Sequence, residues 1–180
     1  MIVRTVILFI WGLMFYNCSS FDGIQRVKID DKYAVDLPAF LTPTTELNDN
    51  ASLQYSNGLK EFYVIIIDEN KESIINAVND TRLAEFYDTS LDGYSQFMLR
   101  SYCESIKVNK ISNLENISIN GLNARKVNMN GNVDGVDVYM EITYIEGQLN
   151  YYQLMTWTLL HNKENHLNNM QKMTYSFREI

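Results

Sequence analysis

Val136-Asp137-Val138-Tyr139-Met140-Glu141-Ile142-Thr143-Tyr144, turned at Glu146-Gly147 into residues 149–159, decides the fold class. Val136, Val138, Met140, Ile142 and Tyr144 recur at every second position, the period at which a strand returns to the same face. In the following run Tyr151, Met155, Trp157 and Leu159 share one face, and Thr156 and Thr158 share the other. Two such runs joined by a glycine turn predict an antiparallel pair.

Upstream, the pattern continues. Ile117-Ser118-Ile119 meets Leu122-Asn123-Ala124 across Asn120-Gly121, Val127 and Met129 alternate with polar residues, and residues 131–135 are expected to turn. Before this meander the period changes. Ile74, Ala77 and Val78 fall on one helical face and Leu83, Phe86 and Tyr87 on another, with a break at Asn79-Asp80. Asp88, Thr89 or Ser90 caps a second helix with Leu91, Tyr94, Met98 and Tyr102 inward, a reading that Gly93 weakens slightly.

Earlier still, residues 61–68 (EFYVIIID) are apolar on both faces, as a central strand covered on both sides must be. Residues 52–56 form a short strand that Asn57-Gly58 joins to it as a two-residue hairpin, and residues 33–38 read as a strand closed by Pro38. At the far end Asn162 is expected to cap a last helix with Leu167, Met170, Thr174 and Phe177 inward. Strands, helices, an antiparallel meander and a closing helix make an α+β domain, its sheet sandwiched by helices.

The 180-residue length fits one domain, and 46% hydrophobic residues give an ordinary globular balance. With 22 Asp+Glu against 15 Lys+Arg the net charge is -7, which argues against nucleic acid as a partner because phosphate contacts need a basic face. The two cysteines, Cys18 and Cys103, do not make a disulfide framework.

Arg4 is followed by an uninterrupted apolar run, residues 6–16, that ends sharply at Asn17-Cys18-Ser19-Ser20. As a helix this run is about 16 Å long, roughly half a bilayer core. A charged start, a short apolar centre and a polar switch are the anatomy of an export signal. A cysteine placed directly after it resembles the lipobox of bacterial lipoproteins, in the relaxed form found in Bacteroidota. The 20 asparagines fit the AT-rich genomes of that group. Phe15-Tyr16-Asn17 departs from the usual Leu, small residue and Gly or Ala. The resemblance implies a signal peptide over 1–17, diacylglycerol on Cys18, a tether over 18–27 and a domain over 28–180. It also implies a cell-envelope location, anchored at the periplasmic face of the outer membrane.

The strand ending Asp36-Leu37-Pro38, the phrase Ile119-Asn120-Gly121-Leu122-Asn123-Ala124, the late strand at 151–159 and a final helix closing on Ser176-Phe177 resemble the PsbP/Mog-like sandwich. The resemblance covers about residues 28–180 and includes periplasmic lipoproteins of the DcrB type. It implies a domain that binds partners or supports assemblies, with no shared active site.

No catalytic set assembles from the sequence. His161 and His166, five apart, do not stack on one helical face and are expected at the surface. Cys103, beside Leu99 and Ile106, reads as a small buried hydrophobe. Residues 130–135 with Glu141 meet a relaxed calcium-loop spacing, but alternating flanks make a hairpin the better reading. Tyr139, Tyr151 and Tyr152 cluster on neighbouring strands and are the candidate binding surface. No metal or other cofactor is expected.

Three functions follow: a non-enzymatic envelope module for an unidentified envelope protein, a hydrolase built on Glu85, Asp88 and Glu141, and a carrier of a small ligand. The carrier needs an apolar pocket between the helices and the meander.

Overall fold

The computed structural model describes residues 23–80 and 87–180. The apolar segment 6–16, Cys18, Glu85, and the Leu83 and Phe86 positions of the expected helix face lie outside the described residues.

Eight antiparallel strands form the main sheet. They are β3 (Thr42–Pro43), β4 (Leu53–Asn57), β5 (Phe62–Asn70), β6 (Lys107–Ile111), β7 (Glu115–Ile119), β8 (Leu122–Val133), β9 (Val136–Glu146) and β10 (Asn150–Leu159). Their order is β3-β4-β5-β10-β9-β8-β6, with β7 also paired to β8. β8 therefore carries two short edge strands in tandem, β7 along residues 122–126 and β6 along residues 129–132, with a bulge between Val108 and Lys110. On the other edge β3 is two residues long and ends in Pro43.

The two faces of this sheet are covered differently. Helices α1 (Lys71–Asn79) and α2 (Leu91–Ser105) pack on one face. On the other lie α3 (Lys163–Ser176) and a small sheet of β1 (Ile24–Ile29), β2 (Tyr33–Pro38) and β11 (Arg178–Glu179). The α+β sandwich read from the sequence is the fold observed. β5 is the two-sided strand expected: Phe62, Val64 and Ile66 are fully buried toward α3, and Ile65 is buried toward α2. Each such apolar side chain contributes about 1.5–3 kcal/mol relative to exposure.

Several local readings need correction. β1 begins at Ile24, so residues 24–27 are a paired strand rather than the end of a tether. Asn57 pairs with Phe62, so the β4–β5 turn spans residues 58–61, and its left-handed residue is Glu61 (φ 52°), not Gly58. The β8–β9 turn is confined to Asp134-Gly135 (φ 50° and 87°), because residues 131–133 still belong to β8. Asn120-Gly121 (φ 49° and 87°) is the hairpin expected, with the conformation that Asn-Gly accepts readily.

Among the three cap residues considered for α2, Ser90 occupies the N-cap and accepts from the amides of Asp92 and Gly93, while Asp88 accepts from the Ser90 amide. Asn162 stands at the start of α3 but caps nothing with its side chain, which donates to Glu61 instead.

Register places the ends of the sheet. The turn 58–61, the Asp134-Gly135 turn and the end of β10 lie together, since Phe62 faces Thr158, Leu159 faces Val138 and Val133 faces Val136. We call this the turn end. The chain enters beside it: the Gly23 carbonyl accepts from Ala39, and the Phe40 carbonyl accepts from the Asn57 side chain.

Candidate functional site

α2 packs over β8, β9 and β6, leaving the β5–β10 strip beside it only partly covered. The result is an apolar cleft of about 580 Å³. Its floor follows from register. Tyr63, Trp157 and Met140 form one cross-strand row, Ile65 and Met155 belong to the next, and Ile67 and Gln153 to a third. One wall is the face of α2 that carries Met98, Ser101, Tyr102 and Ser105, positions spaced i, i+3, i+4 and i+7.

The opposite wall is the loop at Leu47 and Asn48. Gln54 holds that loop in place. Its Oε1 accepts from the Leu47 and Asn48 amides (2.9 and 3.0 Å), and its Nε2 donates to the Asn48 carbonyl (2.7 Å).

The cleft is closed at one end and open at the other. At the closed end Tyr94 stacks on Tyr151 with ring centroids 4.2 Å apart, and the Tyr94 hydroxyl and Gln153 Nε2 both donate to Glu69. Burial raises the pKa of Tyr94 well above the usual phenol value, so it stays a neutral donor. Burial also pushes Tyr102 on the α2 wall up to about 12. At the turn end the lining is Val133, Val136, Val138 and Leu159, and Val133 and Val136 are exposed. A concavity of this size and polarity suits a small apolar ligand.

The residues expected to form a binding surface do not form one. Tyr151 faces the helix pair, with its hydroxyl donating to the Thr89 carbonyl. Tyr139 and Tyr152 face α3 at opposite ends of the sheet. All three are at most 4% exposed. Lys163 sits over the Tyr139 ring at 4.5 Å, and Tyr152 packs on Tyr33 and Phe177. At these three positions the sheet is covered by α2 or α3, so the amphipathic tyrosines went into the core.

The carboxylates of the hydrolase reading do not converge either. Asp88 sits at the start of α2, whereas Glu141 is buried on the opposite face, paired with Lys126 at 2.7 Å and accepting from Tyr139. Residues 130–135 form the hairpin favoured over a calcium loop.

His161 is exposed, but His166 is buried, which corrects the surface expectation. Its ring stacks on Phe62 at 4.6 Å and its Nε2–H donates to the Lys60 carbonyl at 2.8 Å. Cys103 is only half-buried, against the core's margin.

The layered architecture is that of the PsbP-like α+β fold. The chain is similar to the cyanobacterial PsbP (CyanoP) of Synechocystis sp. PCC 6803, with a TM-score of 0.56 at 9% identity over 91% of this chain and 96% of that one. It is also similar to LpqN of Mycobacterium tuberculosis, a protein involved in cell envelope biogenesis, with a TM-score of 0.51 at 10% identity over 87% and 91% of the two chains. At these identities the likeness is one of fold. No family model and no curated protein matches the sequence.

Proposed function

We propose that this protein is a non-enzymatic module of the cell envelope, anchored through lipid on Cys18, that takes up an apolar ligand such as an acyl chain. The cleft between α2 and the β5–β10 floor carries this reading, because its concavity of about 580 Å³ is lined mainly by apolar and aromatic side chains. Among the described residues its lining carries no charged side chain, and its polar groups are the neutral Asn48, Ser101, Ser105 and Gln153, so nothing there holds a ligand's charged head. An apolar tail entering from the turn end is therefore the matching shape. The separation of Asp88 from Glu141 supports binding over hydrolysis. The envelope setting is supported by the export-signal pattern of residues 1–17 and by the involvement of LpqN in cell envelope biogenesis.

The test is displacement of an environment-sensitive apolar dye from the purified chain by a long-chain fatty acid. Saturable one-to-one displacement supports the carrier reading, and the absence of saturable dye binding overturns it. The anchor is tested separately. Cys18→Ser should abolish lipid labelling and release the chain from membranes, and retention at precursor mass would mean an uncleaved segment.

A further inference from the structure

We infer that the turn end of the domain is a membrane-contact surface, with Leu59, Val133 and Val136 entering the boundary between headgroups and acyl chains. This rests on the anchored reading above but not on the carrier reading.

Three observations carry it. The first is the distribution of exposed apolar side chains. An exposed leucine means little alone. Here Leu59, on the 58–61 turn, is 100% exposed, and Val133, Val136 and Ile24 are exposed at the same end. These four are half of the exposed large hydrophobics among the described residues. Nothing in the fold requires a leucine at the tip of that turn, since it touches no core.

The second observation is where the chain arrives. Gly23 lies at the turn end, bonded to Ala39 next to Phe40 and Asn57. From Cys18 to Gly23 a fully extended chain reaches at most about 17 Å. Lipid on Cys18, or an apolar segment retained upstream of it, therefore keeps the turn end close to the headgroups. A domain standing upright on its far end, with Leu149 at the membrane, would need a lead about as long as the sheet itself.

The third is the cleft's direction. Its lining runs out to the exposed Val133 and Val136 at the turn end, whereas the buried Tyr94–Tyr151 stack lies beyond Gln153 at the other. A turn end lying on the bilayer puts that opening against the acyl chains.

Charge limits the depth of entry. Asp134 and Asp137 beside Val133 and Val136, and Glu61 in the turn of Leu59, outnumber Lys60, so the flanking charge offers no attraction to anionic headgroups. Contact of this kind is shallow and does not depend on anionic lipid.

The experiment uses the full chain, reconstituted into phosphatidylcholine vesicles that carry bromine on their acyl chains. Leu59→Trp and Leu149→Trp each add an indole at an exposed position, and quenching is read as the excess over the unsubstituted chain. The expected result is at least twofold more quenching at position 59 than at 149, unchanged when anionic lipid is added. Equal quenching at both positions, greater quenching at 149, or none at either overturns the inference and leaves the carrier reading to the dye assay. A chain that fails to float with the vesicles overturns the anchoring and this inference together.

Discussion

Tyr63 and Trp157 face each other directly across the β5–β10 pair and stack with ring centroids 5.4 Å apart and planes 11° from parallel. Neither ring is fully buried, and together they form the broadest part of the cleft floor. An aromatic pair of this kind is worth about 0.5–1.5 kcal/mol beyond its buried area. Trp157→Ala should therefore lower stability by about 1–3 kcal/mol and weaken ligand uptake at least tenfold. Denaturant melts and dye displacement on the same preparation measure the two effects.

Filling the cleft separates binding from stability. Ser101 is exposed on the α2 wall and lines the cleft. A tryptophan there occupies the ligand's volume while the helix keeps its register. Ser101→Trp should abolish saturable dye binding and shift the thermal midpoint by no more than about 2 °C. A variant that still binds dye as the parent does would place the ligand elsewhere.

Gly93 in the first turn of α2 is fixed by close approach. A Cβ there would lie 2.0 Å from the Asp88 carbonyl oxygen, far inside contact distance. Helix propensity alone favours Gly→Ala by about 1 kcal/mol. Gly93→Ala should instead destabilise, by about 1–3 kcal/mol, because the 88–90 cap has to move away from the helix. The sign of the change in midpoint decides between the two.

Lys126 and Glu141 make an ion pair at 2.7 Å in which the side chains are 13% and 5% exposed. Removing one partner strands the other. Lys126→Met should cost about 3–5 kcal/mol, and Lys126→Met with Glu141→Met should recover most of it, since a buried pair often contributes little over an apolar replacement. Equal losses in the single and double variants would contradict this account.

Acid should weaken the attachment of the small sheet. The Arg26 guanidinium, bonded to Asp36 at 2.7 Å, holds that carboxyl below the usual carboxylate value, with Arg178 adding to the effect. Because the folded-state value is depressed, the stabilisation is complete above the ordinary carboxylate pKa, near 4. It is lost as pH falls through the lower folded value. The midpoint should therefore drop on acidification below pH 4, and Asp36→Asn should flatten that part of the curve.

The meander was legible because its letters obey two local rules at once, alternation along the strands and Asn-Gly or Asp-Gly at the turns. β1 was not. Its Ile-Gln-Arg-Val-Lys-Ile sequence is half charged or polar and reads as a solvated lead until Tyr33–Pro38 pairs with it. The tyrosines failed for a different reason. Adjacent positions 151 and 152 point to opposite faces, and nothing local says that both faces are covered. His166 reads locally as a surface residue beside His161, whereas its partners Lys60 and Phe62 lie about a hundred residues away in sequence. The cleft was foreseeable only as a place, between helices and meander. Its lining is drawn from Leu47 through Leu159, and no spacing rule spans that distance.

The poor edges of the main sheet bear on how this chain survives crowding. Proteins tethered to a bilayer meet one another at high local concentration and in a common orientation, conditions that favour strand addition from copy to copy. β3 offers two residues ending in a proline, which cannot donate. The opposite edge is broken into β7 and a bulged β6 that carries Lys107 and Lys110. Neither edge is a long, flat template for another chain. If the chain is anchored as proposed, a membrane surface packed with it should thus resist strand addition along the main sheet, its copies free to diffuse as separate molecules.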